Sequence, residues 1–105
     1  MLTEDLAIYK DTQNLCKMLL EYQTEVPKTI KYSEYSNAIT YGFNIINTLH
    51  EVSAVREASA KVEKITRILT YANCIKSRIS IFTDLKYIPI KKATNIMLLV
   101  DKICK

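Results

Sequence analysis

The chain has 105 residues, a formal net charge of +4, nearly half apolar and a quarter charged side chains, one Gly and two Pro. That length suits a single domain, residues 1–105, and the scarcity of Gly and Pro excludes a disordered or β-rich chain and points to an all-α protein. The charge is uneven: residues 1–27 carry two Lys against five acids, while residues 28–105 carry thirteen Lys or Arg against six, so a basic partner surface belongs to the last three quarters.

Thr3 is placed to cap a first helix, with Glu4 and Asp5 in its opening turn where carboxylates favour the positive end of the helix dipole. Leu6, Ile8, Tyr9, Leu15, Cys16, Leu19, Leu20 and Tyr22 recur at helical spacings, and Val26-Pro27 stops the run, because the residue before a proline disfavours the α conformation. The expected first helix is 3–25. A basic and aromatic link follows, with Lys28 and Lys31 beside Tyr32 and Tyr35, a mixture suited to nucleic acid, while tyrosines at helix ends are equally common as core edges.

Ser33 or Ser36 can cap a second helix, 34–52, whose core would be Ala38, Ile39, Ile45, Ile46 and Leu49, with Tyr41 and Phe43 toward its flanks. Gly42 inside it costs about 1 kcal/mol relative to Ala, so its expected use is close approach of a neighbouring helix. Ser53 is the candidate cap for the third and longest helix, 55–86. With Lys61 at 0° and about 100° per residue, Ile65, Ile68, Leu69, Ala72, Ile75 and Ile79 fall between about 320° and 80°, one apolar face expected in the core. Lys64, Arg67, Tyr71 and Arg78 fall between about 240° and 300°, three cations and an aromatic beside that face. The stripe is either a binding surface or a solvated helix flank.

Pro89 precedes a fourth helix, 90–104, in which Ile96, Met97, Leu98, Leu99 and Val100 sweep the whole circumference. One core cannot bury all five, which makes Met97, Leu98 and Leu99 the candidate contacts with a second subunit. Four helices with short connections predict an up-down-up-down four-helix bundle.

Cys16, Cys74 and Cys104 are widely spaced and odd in number, which argues against a disulfide framework and reads as small core residues in a reducing cytoplasm. The acidic start is unlike a signal peptide, and the longest uncharged run, residues 35–50, is interrupted by Ser, Asn, Thr and Gly, so neither export nor a membrane span is expected. His50 is the one histidine; beside Glu51 it could titrate near neutrality, or it is a capping or surface residue. Without a Glu-x-x-His pair, a phosphate-binding glycine loop or clustered catalytic carboxylates, the expectation is a non-enzyme with no metal and no cofactor.

The order of features resembles a known family. A first helix ending in Val26-Pro27-Lys28 leads through a basic link to a second helix, then to a long helix opening near Ala58-Ser59-Ala60-Lys61 and closing at Leu85-Lys86-Tyr87-Ile88-Pro89, then to a short amphipathic helix. This resembles the four-helix-bundle family of the accessory variability determinant proteins of diversity-generating retroelements and of proteins encoded in bacterial 23S rRNA intervening sequences. The resemblance implies a basic homopentameric ring that binds a reverse transcriptase and its RNA or DNA. It extends to Pro27-Lys28 at the link and to the basic positions of the third helix.

Two functional classes follow: a nucleic-acid-binding accessory protein, or a structural or protein-interaction scaffold whose charge serves solubility. For the first, the candidate surface is Lys28, Lys31, Lys64, Arg67, Tyr71 and Arg78, extended by Lys86 and Lys91. Repeated around a ring, such a surface would meet on the order of 6–10 phosphates, enough for strongly salt-dependent binding.

Overall fold

The computed structural model describes residues 6–104, and among them every regular element is helical. Five helices run in chain order: α1 (Ala7–Tyr22), the single-turn α2 (Lys28–Lys31), α3 (Glu34–Ala54), α4 (Ala58–Asp84) and α5 (Ile90–Ile103). The cap assigned to Thr3, with Glu4 and Asp5, lies outside the described residues. Tyr22 leads into a 3₁₀ turn, Gln23–Glu25, and Val26 turns extended before Pro27, so the first helix stops short of the expected residue 25.

Where a plain link was expected, Pro27 starts α2: its carbonyl accepts from the N–H groups of Ile30 and Lys31 at 3.1 and 3.0 Å, the geometry a proline can initiate because its own fixed φ suits a helix entry. Ser33 stands at the N-cap of α3 but does not cap it with its side chain. Its hydroxyl donates backward, to the carbonyls of Thr29 and Ile30, at 3.5 Å each. Ser53, expected to open the third helix, is the penultimate residue of α3, with its hydroxyl on the Leu49 carbonyl at 3.3 Å. Val55 and Glu57 are extended, and α4 begins at Ala58 with the Glu57 carbonyl accepting from Lys61.

The far end of α4 also differs from expectation. The helix stops at Asp84 because Lys86 adopts φ 62°, and the N–H groups of Lys86 and Tyr87 then bond back to the carbonyls of Thr83 (3.0 Å) and Phe82 (2.8 Å). This paired closure normally uses glycine, since a side chain in the left-handed region costs roughly 1–2 kcal/mol; with no glycine there, the sequence hid the stop.

The four long helices pack in a closed cycle, α3 on α4 and α1, and α5 on α1 and α4. Their shared core runs the length of the molecule and includes Leu15, Leu19, Tyr35, Ile45, Ile75, Ile79, Ile96 and Val100, all essentially inaccessible. At the α1–α3 seam the expectation for Gly42 holds: a Cβ there would lie 2.9 Å from Cys16 Sγ, so only glycine lets the two backbones approach this closely. Burial pushes the Cys16 thiol up to about 11. The other two cysteines depart from the core reading, Cys74 being half-buried and Cys104 exposed.

Two residues of the predicted α4 core face are exposed instead. Ile65 and Leu69 keep 50% and 38% of their surface, while Ile68, Ala72, Ile75 and Ile79 are buried as expected and Phe82 joins them. Their place on the wheel is the reason: Ile65 and Leu69, at about 40° and 80°, lie toward one edge of the apolar face, whereas Ile68, one residue from Leu69 along the axis, lies away from that edge and is buried. α4 extends for about 40 Å, whereas α1 and α5, at 16 and 14 residues, reach about 24 and 21 Å. Lys76 pairs with Asp101, two residues before α5 ends at Ile103, so the first turns of α4 project past it. Ile65 and Leu69 line the resulting cleft of about 330 Å³ with Leu6, Ile8, Leu49 and Val52.

In α5, Ile96 and Val100 are buried, Met97 and Leu99 are half-buried against the core, and Leu98 is 57% exposed. The apolar run thus divides as its periodicity requires, and Leu98 is its outward member.

Candidate nucleic-acid interface

The eight residues proposed from sequence separate into two groups with different surroundings. Lys64, Arg67, Tyr71 and Arg78 line the flank of α4 that faces α3, because residues three and four apart share one side of a helix. There each cation meets a carboxylate. Lys64 Nζ donates to Glu51 Oε1 at 2.9 Å, Arg78 Nε to Glu34 Oε2 at 2.9 Å, and Arg67 Nη2 to Glu63 Oε1 at 3.3 Å. Two of the three acids come from α3, 13 and 44 residues away in sequence, so no local pattern announced them.

Arg78 is the most committed of these side chains. Besides Glu34 it donates through Nη1 to the Cys74 carbonyl at 3.2 Å, and its guanidinium lies 4.8 Å from the Tyr41 ring centroid. Tyr41 in turn stacks on Tyr71, with centroids 6.0 Å apart and planes 30° apart. Only 20% of the Lys64 and 23% of the Arg78 side-chain surface is exposed. The predicted stripe is therefore a seam of ion pairs and stacked rings that joins α4 to α3, and Tyr71 is not free to stack on a base. Hydrogen bonding and charge from Lys64 hold the Glu51 carboxyl below the usual glutamate range.

Lys28, Lys31, Lys86 and Lys91 behave differently. Four contacts gather the C-terminal ends of α1 and α4 and the N-terminal ends of α3 and α5 at one end of the molecule: Arg78 to Glu34, the Tyr35 hydroxyl to the Leu19 carbonyl at 2.5 Å, the Tyr35 ring 6.3 Å from Phe82, and Lys92 Nζ 5.9 Å from the Tyr22 ring. All four lysines belong to that end, and so does Lys92, which sequence reasoning did not single out. Among the described residues none of these five has an ion-pair partner. Glu21, Glu25, Glu34 and Asp84 share the end, with Glu34 held by Arg78 and Glu21 and Glu25 lining one pocket with Lys92, and the five lysines outnumber them by one.

The two tyrosines paired with this cluster in the sequence separate completely. Tyr35 is fully buried, its hydroxyl satisfied by Leu19, and burial raises its pKa; Tyr32 is 78% exposed at the C-terminus of α2, with Lys31 Nζ 5.9 Å from its ring centroid. Spacing alone could not assign them, since both lie within four residues of Lys31.

At the opposite end His50 is exposed and meets the Tyr9 ring edge-on at 5.4 Å. Among the described residues no group of three His, Cys, Asp or Glu side chains is arranged to hold a metal ion, and no helix is long and apolar enough to cross a membrane. No protein-family model, curated protein or solved structure matches this chain.

Proposed function

We propose that the protein is a non-catalytic nucleic-acid-binding subunit that holds a phosphate backbone against its lysine-bearing end. One observation carries the reading: Lys28, Lys31, Lys86, Lys91 and Lys92 lie at one end of the molecule without ion-pair partners, while Lys64, Arg67 and Arg78 of the stripe expected from the sequence are each paired with a carboxylate. Unpaired surface lysines raise the local potential, attract polyanions and release counterions when phosphates replace them, at about 0.9 per duplex phosphate in the salt slope. The contact is sequence-indifferent, because ammonium groups act as point charges and no helix is presented as a base reader.

The proposal extends to assembly. The four long helices form an up-down-up-down bundle, and copies of it associate through Leu98, flanked by Met97 and Leu99, into a ring-shaped homo-oligomer that repeats the basic end several times. Exposure of Leu98 supports the contact, and the pentamer number and a reverse transcriptase partner rest on the family resemblance alone. Light scattering that returned the 12.1 kDa mass of one chain would remove the ring. The scaffold reading keeps one observation in its favour, the ion-paired seam on α4.

Charge reversal separates the two groups of cations. Lys28→Glu/Lys31→Glu/Lys86→Glu/Lys91→Glu should abolish binding to RNA and DNA at moderate salt and flatten the salt dependence of what remains. Lys64→Glu/Arg67→Glu/Arg78→Glu should lower the melting temperature and leave the affinity of the folded protein close to wild type. Binding lost only in the second variant, with its fold intact, would return the interface to α4; binding retained in both would leave the scaffold reading.

A further inference from the structure

The aromatic residue that the nucleic-acid reading requires is in place, and it is not the one on α4. The other six tyrosines have their rings committed inside the protein: Tyr71 and Tyr41 to each other, Tyr35 to the core, and the rest against His50, Lys92 or the core edge. Tyr32 alone offers a ring face to solvent, 78% exposed, with the Lys31 ammonium 5.9 Å from its centroid and Lys28 one turn earlier on the same side of α2.

Its position is fixed from both sides. Pro27 anchors the start of α2, the N–H groups of Tyr32 and Ser33 bond to the Ile30 carbonyl, and Ile30 packs against the core. With the backbone held in this way, only the side-chain torsions of Tyr32 are left to order when a ligand ring settles on it.

We propose that Tyr32 stacks on an unpaired base while Lys28 and Lys31 hold the adjoining phosphates, so that this end takes single-stranded nucleic acid in preference to duplex. The inference rests on the nucleic-acid reading above and narrows it. A base in a duplex already has stacked neighbours on both faces, whereas an unpaired base can turn outward onto a tyrosine, and every base has a π-face, so the preference is for strand form and not for sequence.

Binding of a labelled oligothymidylate and of a blunt-ended, fully paired duplex of the same strand length tests it. Tyr32→Ala should lower affinity for the single strand by roughly 5- to 150-fold, the range that one stacked base covers, and leave the duplex unchanged. The chain contains no Trp, so Tyr32→Trp installs a single reporter whose emission should be quenched by the oligothymidylate and not by the duplex. Wild-type affinity in Tyr32→Ala, with no quenching in Tyr32→Trp, overturns the stacking role while the lysine reading survives if charge reversal still abolishes binding. A wild-type protein that binds neither strand form overturns both. Binding only to anionic phosphatidylserine vesicles, lost in Ile90→Glu, would likewise overturn both and assign this end to a lipid surface, since Ile90 is exposed beside Lys91.

Discussion

The two ends of the molecule use the same kinds of residue to opposite effect. At the end where α2 lies, lysines without ion-pair partners share the surface with the exposed Tyr32, and the helices below them are packed to full burial at Leu19, Tyr35 and Ile79. At the other end Lys64 is clamped by Glu51, Tyr9 is covered by His50, and apolar side chains, Ile65 and Leu69, are left in the open. A lysine is thus left free or drawn into the structure according to what the neighbouring helix places opposite it. An isoleucine becomes core or surface according to whether the neighbouring helices cover its part of the apolar face.

The largest test of this contrast is in packing. Ile79→Ala, at a site with no exposed surface, should destabilise by about 2–5 kcal/mol, the range for emptying a core position. Leu69→Ala, half a helix away on the same apolar face, should cost about 1 kcal/mol or less, because at 38% exposure it leaves a wider cleft and not a sealed cavity. Chemical denaturation of both variants gives the two values directly. Equal costs would mean that something covers the cleft in solution.

These cases also show what could be read from the sequence. The all-α class, the order of the long helices, the stop near Pro27 and the start of α5 after Pro89 were legible, because prolines and 3.6-residue periodicity act within a few residues of themselves. Periodicity names the face of α4 that seeks burial and is silent on how much of its width the neighbouring helices cover, so Ile65 and Leu69, toward one edge of that face, were read as core with Ile68 and Ala72. The cation stripe was visible, but its partners Glu34 and Glu51 reach it only through the α3–α4 packing. Likewise α2 and the left-handed Lys86 depend on backbone closures that left no glycine signal.

A smaller effect sharpens the electrostatic half of the comparison. Glu51 has its folded pKa lowered by Lys64, so the pair contributes stability above the ordinary glutamate value of 4.5, and that contribution is lost as pH falls through the lowered folded value. Melting temperatures of wild type and Glu51→Gln should therefore differ modestly at neutral pH and converge in acid. The gap should shrink with added salt, as expected for a partly exposed pair. A gap that persisted unchanged at low pH would show that Glu51 acts through something other than its charge.

The close fit of Gly42 against Cys16 gives the protein a clock. The Cys16 thiol is sealed between α1 and α3 and held in its unreactive protonated form, while the Cys104 thiol at the open end meets solvent. An alkylating reagent would therefore consume Cys104 at once and reach Cys16 only as often as the α1–α3 seam parts. The delay between the two events measures how long the seam stays shut.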